Sequence, residues 1–205
     1  MKLYLIRHGQ TEWNVEGKIQ GRTDIPLNET GRLQAHFLAA GMSSRPVVRI
    51  FTSTLKRAVE TAMAVGEDQN VAVELVKSLE EIGFGKWEGR TNVEIMADYP
   101  EEYRRWMLNP VEVSPPGGEL KQEIRVRCKN VMDAILEETA GLKGDIAIVS
   151  HGATLAYIIE YLMKDHPLEG DIIVKNASIT TIQYSPLTGD FVMLDLNNTE
   201  HIRQV

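Results

Sequence analysis

Apolar residues recur along the chain in two rhythms. Short apolar runs at Lys2 to Ile6, Val47 to Phe51, Val71 to Val76 and Asp145 to Val149 predict buried strands. Between them the spacing turns helical: Glu29 to Ala40 behind a capping Asn28, Thr54 to Gly66 behind a capping Ser53, Glu119 to Thr139 with Ile124, Val131 and Ile135 in helical register, and Ala153 to Met163. This alternation predicts an α/β sandwich around a largely parallel sheet. Ile179 to Tyr184 and Phe191 to Leu196 flank Ser185 to Gly189 and predict a hairpin near the end of the chain. Lys86 to Gly118, with Trp87, Trp106, Pro100, Pro110, Pro115 and Pro116, reads as a helical insertion that could cover a site.

The length of 205 residues would bury roughly 70% of the unfolded surface, enough for one domain with a full core and no disulfide or structural metal. With 43% hydrophobic and 25% charged residues, the composition is that of a soluble globular protein. Cys128 is the only cysteine, so an internal disulfide is excluded, and its placement predicts a small buried helix residue. The apolar start meets Arg7 and His8 too soon for a signal peptide, and Asp145, His151 and Glu160 interrupt the most apolar region, so a cytoplasmic protein is expected. A net charge of -7 argues against non-specific nucleic-acid binding and leaves a small anionic substrate held by local cations.

Arg7 and His8 follow the first predicted strand, Ser53 the second and His151 the fourth. Ligands of open α/β sheets bind at that edge. In Leu5-Ile6-Arg7-His8-Gly9-Gln10-Thr11-Glu12-Trp13-Asn14, the guanidinium disfavours a charged imidazole, and a neutral imidazole is nucleophilic. Arg7 can also hold phosphate oxygens through its fork of donors. The plain alternative is a strand-end pair bonded to loop carbonyls. Arg57, in the first turns of a helix whose N-terminus favours an anion, is a second candidate clamp. Val149-Ser150-His151-Gly152 repeats the strand-His-Gly arrangement, and a protonated His151 could donate to a phosphoryl oxygen. Metal binding is the rival for both histidines, but neither lies in a ligand-like spacing, and no metal or cofactor is expected. Leu79 to Gly89 places Glu80 and Glu81 among apolar and aromatic residues, surroundings that prepare a carboxyl as a proton donor. The residues alone do not separate the two.

Together these segments resemble the histidine phosphatase superfamily, the phosphoglycerate mutase-like family, from Leu3 to about Met163 with a weaker match at Asn176-Ala177-Ser178. The resemblance implies a single domain over residues 1–205 with a cap-like insertion at about 86–118, folded as a three-layer α/β/α sandwich. It implies that His8 is the nucleophile, that Arg7, Arg57 and His151 form the phosphate pocket, and that Asn14 is a further donor. Gln20 and Gly21 match a substrate-side loop, and Gly152 follows the second histidine. The family spacing selects Glu81 over Glu80 as the acid. Phe84 to Gly89, Tyr99-Pro100, Trp106, Asn109-Pro110 and Pro116 to Glu119 are similar to α-ribazole and broad-specificity phosphatases; Leu120 departs from the serine usual there. The expected activity is metal-independent hydrolysis of a small phosphorylated metabolite, with phosphoglycerate mutase and a non-catalytic phospholigand-binding module as alternatives. Arg104 and Arg105 could meet a substrate carboxylate in the mutase case.

Overall fold

The computed structural model describes residues 1–109, 113–166, 168 and 172–202. Strand β1 (Lys2–Arg7) sends Leu3 and Leu5 into one core and Tyr4 and Ile6 into another, and β4 (Asp145–Ser150) divides Ile146 and Ile148 from Ala147 and Val149 in the same way. This is the two-residue period of strands buried on both faces. The sheet also contains β2 (Val47–Thr52), β3 (Val73–Leu75), β5 (Ile179–Tyr184) and β6 (Phe191–Asn198), in the order β3-β2-β4-β1-β5-β6. The pairs β2–β3, β2–β4 and β1–β4 are parallel; β1–β5 and β5–β6 are antiparallel, the last being the expected hairpin.

Helices α2 (Glu29–Met42) and α3 (Lys56–Gln69) cover one face through Leu38, Met42, Ala58, Ala62 and Val65. On the other face, α6 (Lys121–Glu138) contributes Ile124, Cys128, Met132 and Ile135, and α7 (Gly152–Leu162) contributes Leu155, Ile158 and Ile159. Three layers result, as expected. Cys128 is buried among these side chains, and burial pushes its thiol up to about 12, an unreactive state.

Several boundaries differ from expectation for local reasons. The strand predicted at Val71 to Val76 shrinks to β3 because Asn70 ends α3 in the left-handed region (φ 54°) and Val71 N–H returns to Gly66 O at 2.9 Å. Ser53 does not cap α3; Leu55 holds the cap position without a side-chain bond. Asn28 does cap α2, its Oδ1 accepting from Gly31 N–H at 2.8 Å. Leu120, without a serine hydroxyl, precedes α6; its backbone N–H donates to Glu123 Oε2 at 2.8 Å and its carbonyl accepts from Ile124 N–H at 3.1 Å.

The insertion is helical, with α4 (Asn92–Asp98) capped by Thr91 and α5 (Pro100–Leu108) begun by Pro100. Trp87, 1% exposed, anchors it against Tyr103 and Trp106, at ring-centroid distances of 5.8 and 5.5 Å. Pro110 lies outside the described residues. A short helix α1 (Glu12–Val15) follows β1 and was not expected; Thr11 and Asn14 cap it reciprocally.

Candidate active site

β1, β2 and β4 run parallel and end together, with Arg7 beside Ser150 and Thr52 beside Val149. His8, Ser53 and His151 therefore leave the sheet at one edge, and the two imidazole centroids lie 5.1 Å apart. A cavity of about 750 Å³ opens there, lined by Arg7, His8, Asn14, Gln20, Gly21, Arg57, Glu81 and Gly152 among others.

The His8 backbone continues β1, donating to Ser150 O at 3.0 Å and accepting from Ala177 N–H at 3.1 Å. Its ring Nδ1 lies 2.6 Å from Gly9 O, an atom that can only accept, so Nδ1 carries the proton and Nε2 holds the lone pair. Burial holds the imidazole well below its usual pKa, and the Arg7 and Arg57 guanidiniums push it further down. Gly9 is required by close packing: a Cβ there would stand 2.5 Å from Gly31 O on α2.

Arg57 is fully buried, and burial lowers its pKa to about 10. It donates from Nη2 to Gly21 O at 2.7 Å, from Nη1 to Thr23 O at 2.8 Å and from Nε to His151 Nδ1 at 3.2 Å. That last bond makes His151 Nδ1 an acceptor, so Nε2–H donates to Ser53 Oγ at 2.7 Å. The expectation of a protonated His151 is corrected accordingly. Both ring nitrogens are engaged within the protein, and burial, followed by Arg57, holds the ring well below its usual pKa. At the α3 N-terminus, Ser53 Oγ accepts from Leu55 N–H and Asp24 Oδ1 from Lys56 N–H. Positive charge at the cavity end comes from guanidiniums. Arg7 donates from Nη1 to Val174 O at 2.6 Å, and its buried Nε has no partner among the described residues.

The structure separates the two carboxylates. Glu80 accepts from the Thr54 hydroxyl and faces Arg22, whereas Glu81 lines the cavity. The surroundings of Glu81 are polar, not apolar as expected. Its Oε1 accepts from Ile82 N–H and Thr154 N–H, both at 3.0 Å, and its Oε2 from Ala153 N–H at 3.2 Å, which ties it to the first turn of α7.

Asn14 spends its Oδ1 on Thr11 N–H, the Thr11 hydroxyl and Asn176 Nδ2, leaving its amide Nδ2 as the donor end on the cavity. Gln20 is 9% exposed, and its Oε1 is buried without a partner among the described residues. Gly21 has a left-handed φ of 53°, and a Cβ there would overlap the Glu88 side chain at 2.1 Å. Gly152 lies under the Arg7 guanidinium. Arg104 and Arg105 are exposed on α5, and Arg104 pairs with Glu101; neither lines the cavity.

Four residues support the site: Thr61 and Thr154 were not expected there, whereas Asn176 and Ser53 were singled out without these contacts. The Thr61 hydroxyl accepts from Gly9 N–H, Asn176 Nδ2 reaches His8 O and Gly9 O, Thr154 holds Glu81, and Ser53 holds His151. Only Thr11-x-x-Asn14, a capping-box spacing, carried a local signal that could have been used. The expected cover also differs in place: none of the described residues from 86 to 118 lines the cavity, whose walls come from residues 14–21, α6, α7 and the segment leading to Val174. The insertion instead braces the loop at Gln20 and Gly21. Glu88 accepts from Arg22 N–H, Thr23 N–H and the Thr23 hydroxyl, and Gly89 N–H donates to Ile19 O.

A buried and a half-buried guanidinium around a neutral strand-end histidine, with a carboxylate opposite, define an enzyme that acts on phosphate esters. The chain belongs to the histidine phosphatase superfamily (branch 1), whose family model matches residues 3–199. It is 32% identical over 207 residues to a protein of Yersinia enterocolitica named probable phosphoglycerate mutase GpmB, covering 98% of this chain and 95% of that one. It is 35% identical over 151 residues to phosphoserine phosphatase 1 of Hydrogenobacter thermophilus, covering 74% of this chain and 71% of that one. The solved structure of the α-ribazole phosphatase from Shigella flexneri superposes with a TM-score of 0.85 at 28% identity, covering 97% of this chain and 96% of that one. No helix among the described residues is long and apolar enough to cross a membrane.

Proposed function

We propose that the protein hydrolyses phosphate monoesters of small molecules through a covalent phosphohistidine on His8. The observation that carries this reading is the fixed tautomer: Gly9 O takes the Nδ1 proton, which leaves a neutral Nε2 lone pair between Arg7 and Arg57 on the cavity.

Nε2 attacks phosphorus in line while the guanidiniums and the Asn14 amide neutralise the phosphoryl oxygens. The bond to the leaving oxygen breaks, and that oxygen takes a proton from Glu81. Thr154 provides for a proton there. Its hydroxyl has one hydrogen and two acceptors in reach, Glu80 O at 2.9 Å and Glu81 Oε1 at 3.0 Å. When it donates to Glu80 O, its oxygen can accept from a protonated Glu81. In the second half a water attacks phosphorus, passes its proton to Glu81 and releases phosphate as the P–N bond breaks. His151 stays neutral and aligns Arg57.

Arg104 and Arg105 stand away from the cavity, which favours hydrolysis over isomerisation of a phosphoglycerate. Wild-type protein is expected to release phosphate from an aryl phosphate ester in the presence of chelator, and His8→Ala to abolish the release and the acid-labile phosphoenzyme. Rapid isomerisation of 3-phosphoglycerate with a bisphosphate primer and little free phosphate would overturn the proposal. A panel including α-ribazole phosphate, phosphoserine and phosphoglycerates ranks the substrates.

A further inference from the structure

The cavity is far larger than a phosphoryl group requires. Beyond its reactive end, the approximately 750 Å³ has an apolar stretch of wall, formed by Ile19, Phe84, Ala156, Tyr157, Met163 and Val174. Met163 and Val174 belong to the main core, and Phe84 and Tyr157 are half-buried side chains packed against it. This wall is therefore preformed, held by the same contacts that hold the fold.

Charge along this part of the cavity is mostly neutralised within the protein. Lys18 pairs with Glu16 at 2.7 Å, and Arg125 pairs with Glu160 at 2.9 Å while lying over the Tyr157 ring. Lys121 is the one lining cation outside the reactive end with no carboxylate partner among the described residues. A second anionic group on a substrate would have to displace an ion pair or depend on Lys121, with Glu160 also on the lining. An uncharged apolar group meets no such obstacle and gains by leaving water.

We infer, on the strength of the phosphatase reading above, that the preferred substrates are phosphate monoesters whose leaving alcohol is uncharged and mainly apolar, an alkyl or aryl body. Phosphorylated amino acids and hydroxy acids are poor substrates. Ala156 and Tyr157, one helical step apart on α7, are specificity-determining residues.

The test is a ladder of ethyl, butyl and hexyl phosphate beside phosphoserine, measured as kcat/KM on the intact protein. The alkyl leaving groups are equally basic, so the ladder reads burial and not leaving-group reactivity. Each methylene buried is expected to raise kcat/KM roughly fourfold, and hexyl over ethyl on the order of 100-fold. Ala156→Asp is expected to flatten the hexyl-to-ethyl ratio, a quantity independent of how much of the variant is folded. A flat wild-type ladder, or phosphoserine turned over as well as hexyl phosphate, overturns the inference while leaving the phosphatase reading intact. Failure to release phosphate from any ester defeats that reading instead. Calorimetric titration with ethyl- and hexylphosphonate then decides the preference without turnover, and equal affinities overturn it.

Discussion

Glu81→Gln tests the division of labour in the site, because it keeps the side chain's shape and removes its proton chemistry. The carboxylate now accepts from Ile82 N–H and Thr154 N–H on Oε1 and from Ala153 N–H on Oε2. A glutamine can keep the Oε1 contacts with its carbonyl, but its NH₂ then faces the Ala153 donor. Losing that one bond to a charged acceptor corresponds to about 1.5–3 kcal/mol of stability. The kinetic effect is separate and depends on the leaving group. For an alkyl phosphate, whose alkoxide must be protonated as it departs, kcat/KM should fall about 10²–10⁴-fold, the usual range for general acid catalysis. For p-nitrophenyl phosphate, whose phenolate leaves readily without a proton, the fall should stay within about tenfold on the same grounds. Because kcat/KM reports steps up to formation of the phosphoenzyme, the later role of Glu81 as base does not enter. Equal losses for both substrates would refute the reasoning and leave Glu81 as a structural cap on α7.

Ser53→Ala removes the acceptor of the buried His151 Nε2–H and should lower stability by about 1–3 kcal/mol. Urea unfolding should show a lower midpoint with an unchanged slope; an unshifted midpoint would mean that the ring finds another partner. Stability should also fall with acid, because His8 and His151 are buried neutral, with pKa values well below 6.5, whereas both titrate near that value when unfolded. The unfolded chain then binds up to two more protons, so the contribution is complete above about pH 6.5 and is lost below it, at up to roughly 2.7 kcal/mol per pH unit. Comparing unfolding free energies at pH 7.5 and 5.5 for the wild type and a His8→Gln/His151→Gln variant checks this; parallel slopes would contradict it.

The gathering of His8, Arg57 and His151 was legible because each lies just beyond a short apolar strand, and parallel strands deliver their ends to one edge. Asn28 was legible as a cap for the same local reason. Contacts between distant segments were not. Whether Ser53 would serve α3 or His151 depended on where β4 delivered His151, 98 residues away along the chain. The aromatic surroundings of Glu81 in sequence concealed polar surroundings in space, because Thr154 and Ala153 arrive from α7. The insertion was legible as helices, but its relation to the cavity depended on Glu88 meeting the backbone of Arg22 and Thr23.

That meeting carries a mechanical implication. Glu88 grips the backbone of a loop whose carbonyls at Gly21 and Thr23 in turn orient Arg57. The insertion therefore behaves as a keystone and not as a roof. Prising it loose would leave the entrance as wide as before, yet would let the guanidinium drift from its aim, so that damage inflicted at the periphery would be felt first as slackened grip on the anion.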